Sequence, residues 1–213
     1  MPSDSTRQKL LDTAERLFAD HGIGAISLRE IIRTAGVNVA AIHYHFGSKD
    51  ELIRAVFSRR ISAVNQARLS GLEELREAHG SEPIPLRPLL RAFIAPALAL
   101  GSDQSSGGKE FFRLVARAHA EPTPVVKEVL FTELKDIIET FLSELERTVP
   151  HLSRAERAMR LSFAAGAMVH TVLFPLKPMF MESVVGGELA TQEPLDLLVE
   201  FCTAGRSAAG GVE

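Results

Sequence analysis

Hydrophobic residues recur at intervals of three and four along most of the chain, a spacing that places them on one face of an α-helix. Leu10, Ala14, Leu17 and Phe18 show this pattern in the first segment. No segment alternates with a period of two, so no β-strand is expected. The pattern predicts an all-α fold of about nine helices, over residues 6–21, 28–35, 39–46, 48–79, 86–100, 111–118, 124–148, 153–174 and 193–204.

Capping residues, glycines and prolines mark where these helices begin and end. Two S-x-x-E capping boxes, starting at Ser27 and Ser48, indicate two helix starts. Pro96 is expected to kink or shorten the fifth helix, because a proline inside a helix removes a hydrogen bond. Residues 101–108, with the sequence GSDQSSGG, predict a flexible loop.

The second and third helices are joined by a short turn at residues 36–38, which predicts a helix-turn-helix unit. Asn38 is placed to cap the third helix. Ile42 and Phe46 lie four residues apart and would hold this helix against the first two. Its other sides carry small methyl groups and hydrogen-bonding rings, which suit a helix that enters a DNA groove. These residues are Ala40, Ala41, His43 and Tyr44.

Composition and charge narrow the class of protein. Of the 213 residues, 46% are hydrophobic, enough for a core, and the single cysteine excludes an internal disulfide. One cysteine fits a reducing cytoplasm. The net charge is −3, but the first 60 residues carry +2 and the rest −5, which places a nucleic-acid-compatible part at the N-terminus. Neither an N-terminal signal pattern nor an apolar run of membrane-spanning length is found, so no membrane partner is expected.

Several short motifs lie in the first 52 residues: AERLF at 14–18, Gly22, SLREI at 27–31, AGV at 35–37, YHF at 44–46 and SKDEL at 48–52. These motifs resemble the TetR family of bacterial transcriptional repressors. The resemblance covers about a quarter of the chain, and residues 38–46 are most similar to a branch that includes fatty-acid-responsive regulators. It implies a DNA-binding domain of three helices at residues 1–52 and a larger helical ligand-binding and dimerisation domain at residues 53–213.

The resemblance also implies roles for individual residues. Phosphate contacts are expected at the start of the second helix, where the helix dipole favours an anion, and base contacts along the third helix, where alanine methyls meet thymine methyls. The expected phosphate-binding residues are Ser27, Arg29, Tyr44 and Lys49, and the expected base-reading residues are Asn38, Ala40, Ala41 and His43. His45 stands where a tyrosine is expected, and its role is left open between base and phosphate.

Each assignment has a simpler alternative. Ser27 could serve only as a cap, although capping leaves its hydroxyl spare hydrogen-bonding capacity. Arg29 and Lys49 could be ordinary solvated charges. Tyr44 could pack against the first helix.

Metal binding and catalysis have little support in the sequence. His43 and His45, two apart on a helix, point to nearly opposite sides. The G-x-S-x-G and H-E-x-x-H motifs are both missing, as is a complete phosphate-binding loop. Cys202 lies on an apolar stripe, which indicates a buried thiol. We therefore expect a protein without enzyme activity, metal or cofactor.

In the C-terminal part, most apolar residues must form a helical core, but the resemblance implies an effector site within it. Its phenylalanine-rich composition indicates a small, largely apolar effector such as a fatty acid, an acyl thioester or an aromatic compound. His119 and His170 would orient the ligand, with ordinary hydrogen-bonded or exposed histidines as the alternative. The full set of candidate effector residues is Phe93, Phe111, Phe112, Val115, His119, Phe131, Leu134, Phe163, Ala167, Met168 and His170.

The last two helices are candidates for pairing between two copies of the chain, with ordinary packing inside one copy as the alternative. Two copies would read a palindrome, since one helix-turn-helix makes few phosphate contacts. The candidate interface residues are Ala164, Ala165, Leu195, Leu198, Phe201 and Cys202.

The combined expectation is a homodimeric repressor that binds double-stranded DNA and releases its operator when a small molecule binds. One alternative is an apolar-ligand carrier or helical enzyme that retains a vestigial N-terminal domain. A second is an architectural DNA-binding protein without a ligand. The sequence names neither the operator nor the regulated genes.

Overall fold

The computed structural model describes residues 2–102, 107–120, 123–173 and 194–207. In these ranges the regular secondary structure is helical, and it comprises nine helices. They are α1 (Pro2–His21), α2 (Leu28–Ala35), α3 (Val39–His45), α4 (Lys49–His79), α5 (Leu86–Ser102), α6 (Gly108–Ala120), α7 (Pro124–Thr148), α8 (Arg154–Leu173) and α9 (Pro194–Ser207).

Hydrogen bonds from capping side chains explain why several predicted helix starts are correct. The hydroxyl oxygens of Ser27 and Ser48 accept from the amides of Glu30 and Glu51 at 3.2 and 3.1 Å. At the start of α8 the bonding is reciprocal, because the Glu156 carboxylate also accepts from the Ser153 amide at 2.8 Å. The Ser153 hydroxyl also donates to this carboxylate at 2.8 Å, and the two bonds from the Ser153 amide and hydroxyl lower the pKa of Glu156.

Of the two effects expected at Pro96, shortening of the fifth helix is wrong, because α5 continues through the proline to Ser102, and a kink stays a prediction. Ile94 and Ala97 are buried on either side of the proline. Packing of both halves offsets the hydrogen bond that proline removes. Of the predicted loop at 101–108, the first two residues belong to α5 and the last to α6, while 103–106 lie outside the described residues. The predicted end of the eighth helix at residue 174 and the predicted start of the ninth at residue 193 also lie outside the described residues.

The chain forms two compact units, the first made of residues 1–65 and 100–137. In unit 1, α1 packs against α2, α3 and α6, and α2 packs against α3. Its core is built from apolar residues on these helices and on α4. The largest fully buried side chains there are Leu10, Leu11, Phe18, Ile31, Ile42, Leu52, Ile53 and Phe57.

A buried carboxylate joins α1 to α4 in unit 1. Glu15 is only 2% exposed, and it accepts hydrogen bonds from Arg59 at 2.8 Å and from Arg60 at 2.7 and 2.9 Å. The bond to Glu15 raises the pKa of Arg60. Gly107 lies against this cluster with φ +73°, and a Cβ there would stand 2.9 Å from Arg60 Nη2. The ion cluster therefore connects α1, α4 and the residue that precedes α6.

Unit 2 comprises residues 66–99 and 138–213. In it α8 packs against α9. The guanidinium of Arg76 donates to the buried carboxylate of Glu144 at 2.7 to 2.8 Å, which links the end of α4 to α7. Buried apolar residues on each helix complete the core, together with Ile84 between α4 and α5; those on the helices include Leu72, Leu89, Ile94, Phe141, Leu145, Leu161 and Val199.

The expected functional boundary after residue 52 differs from this division by packing, since unit 1 also contains α6 and the first half of α7. One division describes which residues pack together and the other describes the expected functions, so the functional boundary stays a prediction.

Replacing Glu15 by alanine should lower the free energy of unfolding by about 3 kcal/mol, because two part-buried guanidinium groups lose their acceptor. Urea denaturation followed by circular dichroism measures this change. As a control, Arg113→Ala removes the exposed partner of Asp20 and should cost less than about 1 kcal/mol. Equal losses in the two variants would show that the Glu15 cluster contributes no more than a surface ion pair.

Candidate functional site

The turn between α2 and α3 depends on a left-handed glycine. Gly36 has φ 63° and ψ 41°, a conformation that costs glycine little and strains other residues. Its amide donates to Arg33 O at 3.2 Å, and the next amide, of Val37, donates to Ile32 O at 3.3 Å. These bonds satisfy carbonyl groups at the end of α2 and direct the chain into α3.

Helix α3 has one buried side and one exposed side. Ile42 and Phe46 are buried, as their spacing predicts, whereas Ala40 and His43 are exposed. The Asn38 side chain caps the helix, with Oδ1 accepting from the Ala40 amide at 3.0 Å. This bond uses the Asn38 carbonyl oxygen and leaves its amide NH2 group available on an exposed residue.

Tyr44 does not pack against α1, because 80% of it is exposed. Its ring meets the half-buried ring of His45 edge-on, with centroids 5.0 Å apart. Phe46 makes the inward contact instead, and the Arg7 guanidinium lies 5.4 Å from its ring centroid. Arg7 was not predicted from the sequence, because its contact with Phe46 joins residues far apart in the chain.

The expected phosphate-binding residues differ in how they are held. Ser27 and Arg29 are both exposed at the start of α2, where Ser27 also serves as the cap. Lys49 is half-buried, and its ammonium donates to Ile23 O at 2.6 Å. This bond ties the first residue of α4 to the segment between α1 and α2. An ammonium has three donors, so the bond leaves capacity for a second acceptor.

The candidate effector residues of unit 1 belong partly to its core. Phe111 and Phe112 are buried, and the Phe111 ring lies edge-on to Phe57 with centroids 5.9 Å apart. Val115 and Leu134 are half-buried. Phe131, in contrast, is 69% exposed. For His119 only the backbone is described.

In unit 2, two candidate effector residues converge on a residue that the sequence analysis missed. Arg68 of α4 is 4% exposed and donates through Nε to Phe93 O at 2.8 Å. Its guanidinium carbon lies 4.2 Å from the Phe93 ring centroid, and Nη2 is 3.9 Å from Met168 Sδ. The missed signal was a charged residue between Val64 and Leu72, within the apolar stripe of α4.

The other unit 2 candidates lie nearer the surface. Ala167 is half-buried, His170 is exposed, and Phe163 is 66% exposed. On α8, Phe163 follows the exposed Met159 at a spacing of four, and on α9 the exposed residues Leu197 and Phe201 have the same spacing. Each pair forms an apolar stripe on its helix.

The candidate interface residues are distributed between the interior and the surface of unit 2. Ala164, Leu198 and Cys202 are buried within the single chain. Ala165 and Leu195 are half-buried, and Phe201 is exposed.

In the described part of the chain, no group of three or more His, Cys, Asp or Glu side chains is placed to hold a metal ion. No described helix has the length and apolar character needed to span a membrane.

Comparison with known proteins agrees with this geometry. A family model described as "Bacterial regulatory proteins, tetR family" matches residues 10–56, and one described as "Tetracyclin repressor-like, C-terminal domain" matches residues 91–205. The transcriptional regulator BetI of Brucella anthropi is 27% identical over 165 residues, covering 76% of this chain and 77% of its own length. AcrR of Shigella flexneri is 37% identical over 67 residues, which cover 32% of this chain and 31% of its own length.

Solved structures show the same fold at low sequence identity. The TetR family regulator PfmR from Thermus thermophilus superimposes with a TM-score of 0.60 at 18% identity, over 97% of both chains. A putative transcriptional regulator from Pseudomonas aeruginosa PAO1 gives 0.68 at 17% identity, over 96% of this chain and 89% of its own. Together with the family match over more than half of its length, the helix-turn-helix of α2 and α3 identifies this chain as a member of the TetR family of DNA-binding transcriptional regulators.

Proposed function

We propose that this protein is a homodimeric repressor that binds a palindromic operator and releases it when a small, largely apolar effector binds. The observation that carries the proposal is the surface of α3, which buries Ile42 and Phe46 and exposes Ala40, His43 and Tyr44. A cytoplasmic location follows from a role on bacterial DNA.

The exposed side of α3 suits base recognition in the major groove. The methyl groups of the exposed Ala40 and the half-buried Ala41 would contact thymine methyls, and the amide NH2 of Asn38 would donate to a base acceptor. His43 would donate or accept. We place the half-buried His45 beside Tyr44 as a support for that ring, since the two are in edge contact.

Phosphate contacts would flank this helix. Ser27 and Arg29 are exposed at the start of α2, where amides and the helix dipole favour an anion. The Tyr44 hydroxyl extends from an exposed ring. Lys49 would use a donor that Ile23 O does not occupy.

The proposed dimer face comprises the two exposed stripes of α8 and α9: Met159, Phe163, Leu197 and Phe201. Exposed large apolar side chains of this kind, here four on two helices that pack together, are what an interface would bury. A matching pair from a second copy would bury them in a four-helix arrangement. We therefore place Phe163 on this face and not in the effector site, while Ala164, Leu198 and Cys202 would hold α8 to α9 behind it.

The effector would act by preferring the form of the dimer that does not fit the operator. We place its site in unit 2, around Phe93 and Met168. The burial of Phe93 and Met168 supports an apolar effector.

One experiment tests the function as a whole. The purified protein is mixed with random double-stranded DNA, bound sequences are selected by gel shift, and the selection is repeated with a panel of fatty acids and aromatic compounds. The proposal requires a palindromic consensus and its loss with at least one compound. Ligand binding without sequence selection would instead indicate a carrier or enzyme, and selection that no compound alters would indicate an architectural protein.

Arg29→Gln should weaken binding to all DNA sequences and reduce the slope of log affinity against log salt by about one for each phosphate that is no longer neutralised. Fluorescence anisotropy at several salt concentrations measures the slope. Lys135→Gln removes a cation from an exposed position on α7 and serves as the control. The phosphate role of Arg29 is contradicted if both variants keep the wild-type slope.

His43→Ala should relax the preference at one base pair of each half-site, because a side chain that distinguishes base edges is removed. Sequencing the DNA selected by the variant measures the preference at every position. His21→Ala, at the exposed end of α1, is the control. An unchanged consensus would show that His43 is not a base reader.

Phe163→Glu should convert the dimer to a monomer, because it places a charge in an apolar interface. Sedimentation velocity reports the oligomeric state, and affinity for the palindrome should fall with it. Phe131→Glu is a matched control, since Phe131 is equally exposed but lies on α7 in unit 1. A dimeric Phe163→Glu variant would place the interface elsewhere.

A further inference from the structure

Two cations near the start of α1 lie beside the two ends of α3. The guanidinium carbon of Arg7 is 5.4 Å from the ring centroid of Phe46, the residue that follows α3. The Nζ atom of Lys9 lies beside the turn that precedes α3, 3.9 Å from the position that a Cβ of Gly36 would take. Packing of α1 against both α2 and α3 holds these side chains near the recognition helix.

Both cations are exposed, and neither is paired with an acidic side chain in the part of the chain that the structure describes. The arginines of α4 in the same unit differ in this respect. Arg54, Arg59 and Arg60 are each held by a carboxylate at 2.9 Å or less. The charges at the start of α1 therefore remain available for an anion from outside the chain.

Each cation also has a role within the protein, but neither role uses up its hydrogen-bond donors. The attraction between the Arg7 guanidinium and the Phe46 ring involves the charge and leaves N–H groups available. Lys9 lies by the C-terminal end of α2, where the helix dipole favours a cation. The carbonyl groups at that end already accept from the backbone amides that follow, so the ammonium keeps donors for another acceptor.

The size of α3 places these donors near the borders of a DNA groove. A helix of seven residues is about 10 Å long, and the major groove is about 12 Å wide. Groups beside the two ends of such a helix are then within reach of the phosphate backbones that border the groove. Arginine and lysine are the side chains that most often neutralise these phosphates.

We propose that the start of α1 is a third DNA-binding element, in which Arg7 and Lys9 bind backbone phosphates beside the two ends of α3. Phe46 would then act twice, since the ring that holds α3 in the core also carries the Arg7 guanidinium. These contacts would be independent of base sequence, because every base pair presents the same phosphates. The inference rests on the proposed placement of α3 in the major groove, and it adds contacts from a helix to which the sequence analysis assigned none.

The test measures how DNA binding depends on salt, because each phosphate contact that is lost lowers the slope of log affinity against log salt by about 0.9. Fluorescence anisotropy is recorded with the full chain at several concentrations between about 50 and 200 mM salt, on a duplex of mixed sequence and on the selected operator. Arg7→Gln and Lys9→Gln should each lower the slope by this amount for every phosphate that loses its cation. Arg7→Lys retains the charge and should keep the wild-type slope.

Arg16→Gln is the matched control, since it removes a charge from another exposed position of α1. Arg16 lies roughly 13 Å along the helix from Arg7, at 1.5 Å per residue, and its variant should keep the wild-type slope. Circular dichroism melting identifies a purely structural role. Such a role would lower the melting temperature of Arg7→Gln or Lys9→Gln and leave the salt slope unchanged.

An unchanged slope in Arg7→Gln or in Lys9→Gln would overturn the contact assigned to that residue. The inference would also be overturned by an equal loss of slope in Arg16→Gln, which would indicate a general effect of charge. A changed consensus in the DNA selected by either α1 variant would indicate base reading and contradict the phosphate role.

Failure of the proposed function gives different results. If Arg29→Gln lowers the slope and the α1 variants do not, only the contribution of α1 is removed. If the α1 variants lower the slope but no palindromic consensus or effector response is found, the repressor is removed and the α1 contacts remain. Absence of any DNA binding would remove both.

Discussion

The burial of Ile42 and Phe46 is the interaction on which the DNA-binding surface depends. Helix α3 has only seven residues, and a helix of this length is not stable alone in water. Its structure comes from these two side chains in the core of unit 1 and from the cap at Asn38. Because the same two residues set the rotation of the helix, they also decide which side chains point outward.

Other contacts hold the elements around α3 in place. Gly36 sets the direction in which the chain leaves α2, and Lys49 ties the start of α4 to the carbonyl of Ile23. Glu15 then joins α1 to α4 through two arginines. Unit 1 therefore positions its recognition helix by polar contacts at defined points in addition to apolar packing, and such contacts have narrower geometric tolerance than apolar ones.

Local signals explain how much of this structure could be predicted from sequence. Caps and helix-breaking residues act within a few positions, so the bounds of α2 and α7 agree with those predicted. The continuation of α5 through Pro96 depends on packing by residues distant in the chain, which no local signal reports. Exposure within a helix was also hard to assign, since Phe131 and Phe163 belong to apolar helices yet lie at the surface.

In the candidate site, too, the features set by local signals were predicted and those set by packing between distant residues were missed. The exposed residues of α3 follow from helical spacing and one capping residue, so they were predicted. Arg68 was missed because an arginine in α4 gives no sign in sequence of the Phe93 and Met168 contacts that bury it. These contacts form only when α4, α5 and α8 come together in the fold.

The close approach of Gly107 to the ion cluster limits how this chain can evolve. Any side chain at that position would meet Arg60 and would also have to adopt a left-handed backbone conformation. Loss of the glycine therefore strains the backbone and displaces Arg60 at once, so it passes through a less stable ancestor. Descendants that keep Glu15 and Arg60 should consequently keep a residue without a side chain immediately before α6.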